Sequence, residues 1–505
     1  MADKDATPAT RSVAYNTMSP RWDLINSLLG GTEAMRAAGT ALLPKHQEES
    51  DQSWSRRLLG ATLLNMTELT LDMLAGKPFS EPVVLSKEEG TGDGTPFHEW
   101  AEDIDLQGNN LDVFARRWFR DGMAKGLSHV LVDMPRREEG VTPRTLADDR
   151  AEGVRPYTVH IPAESVIFMS GTMVAGREVL DHVRIAEAEL VRDGWGEKLV
   201  ERIRVLEPGL VQLWEKRTTN KRKEEWVKVE EWATDLDYIP LVTFYTDREG
   251  LGLAKPPLLD LGYMNVRHWQ LDSDLNNIIS VACFPMLAMS GVDSQETGGD
   301  GGLMRLGPNQ ILATRSEHGK FYYVEHTGAA IDTGEKKLRH LEEQMSAYGA
   351  QFLKEKPGDL KATVRALDTA EALSQLQAIT LSFKDSVETV LAIMADWMSI
   401  AKAPSVEMDV DFGLSSPDET GWNAIDKARE RRDISREAYI TEMKRRGWLS
   451  DEYDEEEDKA LIEQEAEDAM KAMAALDLDP AGGNPKPDPN NPQPKKAPSN
   501  EPNDA

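Results

Sequence analysis

Cysteine is almost absent from this sequence. Cys283 is the only one in 505 residues, so no disulfide can form within the chain. It lies in an apolar stretch beside Phe284 with no His/Asn signature, which reads as a buried structural thiol rather than a nucleophile. Long apolar runs are missing as well. Nothing approaches the roughly 18 apolar residues of a membrane span, and the opening Met-Ala-Asp-Lys-Asp has no signal-peptide core. The expectation is a cytoplasmic protein with no membrane partner. Catalytic signatures are also lacking: there is no HExxH, paired CxxC, GxSxG or GxxxxGK[ST], no GxGxxG after a strand, and the nine histidines show no ligand spacing. No enzyme, metal site or cofactor is expected. Positive charge is scarce, with 58 Lys and Arg against 88 Asp and Glu and a net charge of −30. That balance excludes a protein that grips nucleic acid by neutralising many phosphates. It does not exclude a wall past which a duplex slides.

What the chain does have is periodicity, concentrated between Pro256 and Trp397. From Leu258 the positions Leu261, Met264, Leu271, Leu275, Ile278 and Ala282 recur at steps of three and four, with His268 breaking the stripe. Pro256-Pro257 open this helix and Pro285 closes it; about 26 residues at about 1.5 Å each reach ~39 Å. A return helix starting near Asp332 carries Leu338, Leu341, Met345, Tyr348 and Phe352 on one stripe. The break Lys354-Glu-Lys-Pro-Gly-Asp359 follows it. A third helix then carries Leu373, Leu376, Phe383, Val387, Val390, Met394 and Trp397, interrupted at Thr380. Between the first two lies a glycine-rich excursion whose segments Gln310–Thr314 and Lys320–Glu325 read as a small hairpin. The first helix has a second apolar row through Leu258, Gly262, Val266 and Trp269, and a polar row through Asp260, Tyr263, Arg267, Gln270, Asp274 and Asn277.

On either side the texture changes. Residues 1–19 are polar and read as a flexible arm, and helices are expected at 20–29, 32–41, 50–74 and 111–125. Within 50–74 the expected buried side is Leu58, Leu63, Met66, Leu69 and Met73. Ser128 to Asp133 has the pattern of a buried strand, and 155–246 is a series of strands whose basic turn, Lys216 to Lys223, reads as a solvated hairpin tip. Beyond Trp397 come a strand at 406–412 and helices at 419–433, 435–446 and 455–476, with Ser435-Arg-Glu-Ala read as a capping box. Residues 451–479 hold thirteen acidic residues against two lysines, and 480–505 hold eight prolines and little that is apolar. This last segment is expected to be a disordered tail.

This order of parts resembles the portal proteins of tailed bacteriophages. The phrase Gly31-Thr-Glu-Ala-Met-Arg-Ala-Ala-Gly39 with Leu43-Pro-Lys-His46 looks like a portal-like subfamily of conserved unknowns. Ile434-Ser-Arg-Glu-Ala-Tyr439 and Arg446-Gly-Trp-Leu-Ser-Asp451 are similar to portal C-termini. The resemblance implies an α+β fold: an α/β wing (20–254), stem helices at 255–284 and 333–353, and a clip with β-structure (285–332) between them. A tunnel loop (354–368), a long helix with a return strand (369–416) and a helical crown (417–479) complete it.

The resemblance also implies a ring of subunits, usually twelve, at one capsid vertex. Such a ring binds the large terminase subunit, then a head-completion or tail adaptor, sits among major capsid and scaffolding proteins, and conducts double-stranded DNA without sequence preference. The protein would assemble in the host cytoplasm and end in the virion. On that reading Lys354, Lys356, Lys361 and Arg365 line the tunnel loop, and Arg267, Gln270 and Asp274 face the channel. Val266 and Trp269 pack on the neighbouring subunit, and Gln310, Leu312, Tyr322 and Val324 belong to the clip. Two other readings stay open: a helical adaptor or scaffold protein without a channel, and an enzyme with an acidic metal site.

Overall fold

A computed structural model describes residues 6–86, 96–135, 154–218, 224–282, 286–290, 320–324, 329–351, 374–410 and 419–445, with isolated positions elsewhere. The fold is mixed α+β, and the chain divides into a unit of residues 1–414 and a second of 415–505.

The first unit opens with α1 (Val13–Leu29), where Ser12 Oγ accepts from the Tyr15 N–H at 3.0 Å. The flexible arm expected over 1–19 is therefore corrected from Val13 onward. The expected helix opens at Pro20, since proline inside a helix costs ~3 kcal/mol. Here Pro20 stands inside α1, because Tyr15 and Met18 ahead of it are buried with Trp22 in one apolar cluster. After α2 (Gly31–Ala37) the expected helix over 50–74 is two: α3 (Asp51–Gly60) and α4 (Met66–Gly76). The break shifts the helical phase. Leu69 and Met73 are exposed, while Thr70, Leu71 and Leu74 face inward. Next come β1 (Val84–Leu85), α5 (Phe97–Glu102) and α6 (Leu111–Lys125), the last capped by Asn110 and ended by Gly126 at φ 87°. That φ is one that glycine adopts without a steric penalty.

Two antiparallel sheets follow. β2 (Leu127–Asp133) is the centre of a three-stranded sheet between β3 (Tyr157–Ile161) and the later β9 (Leu241–Tyr245). Between those edges the chain runs as a meander: β4 (Val166–Val174), β5 (Arg177–Asp193), β6 (Gly196–Glu207), β7 (Leu210–Thr218) and β8 (Glu224–Ala233). The basic turn joining β7 to β8 is outside the described residues from 219 to 223, but Lys216 at its base pairs with Glu201 and Glu224. A short ribbon of β10 (Arg248–Gly250) and β11 (Leu253–Ala254) leads to α7 (Leu259–Ala282).

β12 (Met286–Ser290) pairs antiparallel with β13 (Lys320–Val324), and α8 (Ala329–Gln351) returns along α7. The strand partner of β13 is thus Met286–Ser290, a run whose β-forming character the glycine-rich sequence beyond it hid. The expected partner, residues 310–314, lies outside the described residues, as do Gln310 and Leu312 of the clip. α9 (Gln375–Trp397) begins with a capping box between Ser374 and Gln377. The unit's last described strand is β14 (Val406–Glu407), which pairs with β1.

α9 and α6 cover the three-stranded sheet, and between them Phe79, Trp118, Phe119, Phe244 and Phe383 form one aromatic cluster, with centroid separations of 4.9–6.3 Å. Edge-to-face contacts of this kind add to what area burial alone provides. The second unit contains α10 (Glu419–Glu430) and α11 (Arg436–Arg445). Ser435 Oγ accepts from the Ala438 N–H at 3.0 Å. Because the third helical residue is alanine, no side chain returns the bond, and the expected capping box is a simple N-cap.

Candidate functional site

The long pair α7/α8 is where the expected site residues fall. Its contacts run in opposite order along the two helices, as an antiparallel pair requires. Tyr348 donates its hydroxyl to the Pro257 carbonyl at 3.2 Å, His268 Nε2 lies 3.1 Å from Glu342, and Gly334 faces Leu275. The same register carries into the β12/β13 pair, where Met286 stands opposite Val324 and Ala288 opposite Tyr322. Tyr322 and Val324 of the expected clip are therefore on β13. Gly334 matters for spacing: a Cβ there would meet Leu275 Cδ1 at 2.9 Å, so glycine lets the two backbones approach.

Several helices of the N-terminal region clamp the pair. Asn265 is fully buried on α7; its Oδ1 accepts from the Thr67 N–H and hydroxyl, both at 3.0 Å, and its Nδ2 donates to the Leu64 carbonyl at 2.8 Å. One turn away, Val266 and Trp269 are buried against Leu24, Leu28, Met35 and Leu43 of the same chain. This corrects the expectation that they form the contact between subunits. The second apolar row is real, but α1, α2 and the segment after α2 cover it within the subunit, leaving no area for a neighbour.

Two of the three residues expected to face the channel are half-buried and have partners within the subunit. Gln270 donates to the Leu42 carbonyl at 2.8 Å, and Asp274 accepts from Arg57 Nη1 at 2.9 Å while lying 3.0 Å from His46 Nε2. Arg57 itself is buried. Its Nη2 donates to both Glu49 Oε2 and the Pro44 carbonyl, each at 2.8 Å. The hydrogen bond from Arg57 draws the Glu49 carboxyl down to about 2. Along the polar row Asp260, Tyr263 and Arg267 are exposed. Lys354, Lys356, Lys361 and Arg365 lie outside the described residues.

On α8 the exposed face presents Lys336, Lys337, Arg339 and His340 in one turn, a grouping that the apolar periodicity did not single out. Arg339 pairs with Glu335 at 3.2 Å. With Asp332, Glu335, Glu342 and Glu343 around it this face is close to neutral in net charge, unlike the strongly acidic chain as a whole.

A buried polar knot sits at the junction of α6, β2 and β3. Ser128 donates to Asp121 at 2.8 Å and lies 2.9 Å from His160 Nε2; Lys125 contacts Asp121 at 2.9 Å and Glu164 at 2.7 Å. Burial acts to raise Asp121, yet the bond to His160 and the charge of Lys125 outweigh it and hold the carboxyl well below its ordinary value. The adjacent His129 is fully buried and burial pushes it down to about 3, so it is neutral; its Nδ1 lies 2.8 Å from the Thr243 hydroxyl. Ser, His and Asp are all present, but not in the order of a nucleophilic relay, in which histidine bridges serine and aspartate through its two nitrogens. Here Nε2 faces both, and Nδ1 has no partner. The geometry fits a structural tie between α6 and the sheet. Among the described residues no group of His, Cys, Asp or Glu is disposed to hold a metal, and no helix is long and apolar enough to cross a membrane.

The family described as Domain of unknown function (DUF4055) matches residues 257–398, from the start of α7 to the end of α9. No curated protein matches the chain. Among solved structures the chain is similar to one from the neck of an empty GTA particle computed with C6 symmetry, at 12% identity and a TM-score of 0.36, covering 84% of this chain and 97% of that one. It is similar also to one from the neck of a native GTA particle computed with C12 symmetry, at 12% identity and a TM-score of 0.37, covering 80% and 97%.

Proposed function

We propose that this chain is the subunit of a phage-type portal: a ring at a capsid vertex that conducts double-stranded DNA without catalysing a reaction. The observation that carries the reading is the α7/α8 pair tipped by β12/β13, a stem with a small β-structured end set on a sheet-bearing body. A rigid antiparallel pair held by buried ties suits a part that must keep its shape while a polymer moves past it. The acidic balance of the chain suits passage rather than capture.

On this reading the segment of Lys354, Lys356, Lys361 and Arg365 touches the duplex, Arg267 and the neutral face of α8 offer the remaining wall, and the β12/β13 end receives terminase and then the adaptor. A dodecamer in the virion, built in the host cytoplasm among capsid and scaffolding proteins, completes the proposal.

Electron microscopy of the purified full-length protein tests it. Closed rings with a central hole are expected, and a monomer or a solid assembly would overturn the reading in favour of an adaptor without a channel. Particles carrying Lys354, Lys356, Lys361 and Arg365 all changed to Gln should form rings but package or retain DNA poorly. Full-length, leak-free DNA in such particles would remove these residues from the account.

A further inference from the structure

Among the described residues, the end of the β5/β6 ribbon presents exposed large apolar side chains. β4 accompanies β5 only as far as Ile185, and β7 joins β6 only from Arg202 onward. Residues 188–199 therefore form a two-stranded arm that is exposed on both faces. Opposed residues of an antiparallel pair point to the same side, so Leu190 and Leu199, which face each other across the arm, make one exposed apolar patch. Trp195 at the turn is fully exposed. An isolated two-stranded ribbon is at best marginally stable in water, and a tryptophan and two leucines add an unfavourable exposed surface. The root of the arm is nevertheless firmly held: Arg204 reaches Glu187 at 2.7 Å and Asp133 at 3.1 Å, and Arg202 pairs with Glu215 at 3.5 Å. An arm fixed at its base and apolar at its tip is built to meet a partner.

A fitting acceptor lies at the other end of β5. An open groove of about 800 Å³ runs between the first residues of β5, β9 with the segment before it, and α9. Leu180 and Ile239 supply apolar floor, and the α9 wall is made of the short side chains Ser386, Thr389 and Ala392, which leave room for a bulky one. Glu178, Asp385 and Asp396 line it with a single cation, Arg177, and the turn of the arm brings both signs, Arg192 and Lys198 beside Asp193 and Glu197, so each charge at the tip can meet its opposite at the groove. The groove is larger than an indole needs, so the leucine pair can follow Trp195 into it.

We propose that the β5/β6 arm docks Trp195 into the α9 groove of a second copy of this chain. The about 13 residues of β5 that separate groove from tip span roughly 43 Å, so the arm cannot fold back into its own groove. Donor and acceptor patches that differ and sit at opposite ends give a heterologous, head-to-tail contact, which propagates and closes into a ring when the rotation allows. The inference deepens the portal reading by naming the contact between subunits, and it depends on that reading only for ring closure.

The test mixes two full-length variants, both carrying Cys283→Ser, one with Asp193→Cys on the arm and the other with Ala392→Cys in the groove. Treatment with a short bismaleimide should link the two different polypeptides. Adding Trp195→Ser to the arm variant should lower the yield roughly ten-fold or more, the scale of a hot-spot aromatic. Met73→Cys on the exposed face of α4, used in place of Ala392→Cys, should give no link. Circular dichroism and thermal unfolding of the Trp195→Ser protein should match the parent, because the side chain touches nothing in its own subunit. Absence of the arm–groove link, or a link indifferent to Trp195→Ser, overturns the arm. Rings that assemble equally well with Trp195→Ser also overturn it while leaving the portal reading in place. A Trp195-dependent link in a protein that never closes into rings supports the arm and overturns the portal.

Discussion

Arg57 and Asp274, separated by more than two hundred residues in the chain, form a 2.9 Å ion pair that fastens α3 to α7. The Arg57 side chain is only 2% exposed and that of its second partner, Glu49, 6%. Replacing Arg57 with Leu would strand a covered carboxylate, and breaking a buried pair from one side costs about 3 kcal/mol or more. Denaturant unfolding followed by tryptophan fluorescence should show a loss of that size. A loss below about 1 kcal/mol would mean that the triad behaves as an ordinary surface ion pair.

The same triad should make the clamp sensitive to acid. Glu49 has its folded value lowered from 4.5 to about 2, chiefly by the Arg57 hydrogen bond. A depressed carboxyl contributes stability that is fully present above its unfolded value and is lost as pH falls through the folded one. Stability should accordingly decline between about pH 4.5 and pH 2, with the lowered Asp121 adding to the acid limb. Glu49→Gln should flatten that decline at the cost of stability at neutral pH. Urea midpoints collected across the acid range check this, and an unchanged slope in the variant would exclude Glu49 as a source.

Gly122 on α6 faces the aromatic cluster, and a Cβ there would come within 2.4 Å of Phe244 Cδ1. Alanine is favoured over glycine inside a helix by about 1 kcal/mol. Overpacking a filled core typically costs about 1–3 kcal/mol, and Phe244 has little room to move because Phe119 stacks on it at 5.7 Å. The clash should win, so Gly122→Ala is expected to lower stability by about 1 kcal/mol net. A gain in thermal midpoint would show that the ring relaxes more freely than its neighbours suggest.

Trp269 is fully buried among residues of its own subunit. Trp269→Ala should therefore destabilise the subunit itself by about 3–5 kcal/mol, as large-to-small changes of a buried aromatic do. Thermal unfolding measured below and above the assembly concentration should show the same shift. A shift seen only in the assembled protein would restore Trp269 to the contact between subunits.

Periodicity is local, and it was sufficient to find the three long helices: the apolar spacing from Leu261 to Leu275, from Leu338 to Met345 and from Leu376 to Met394 marks the faces that the structure buries. Alternation likewise located most strands of the two sheets. It could not say what lies against each face. The row of Val266 and Trp269 reads as apolar whether a neighbour covers it or α1 and α2 do, and only the tertiary arrangement brings Leu24 and Leu28 there from over two hundred residues away. The polar row shows a related limit: spacing alone does not reveal that Leu42 and Arg57 come from distant segments to bond Gln270 and Asp274. Pro20 shows the reverse, a strong local stop signal overruled because Tyr15 and Met18 gain burial on its far side. The exposed arm at Trp195 is not marked in the sequence, where clear strand patterns cover 179–185 and 201–206 but not the residues between, and the ends of β4 and β7, which leave it uncovered, are set by tertiary pairing.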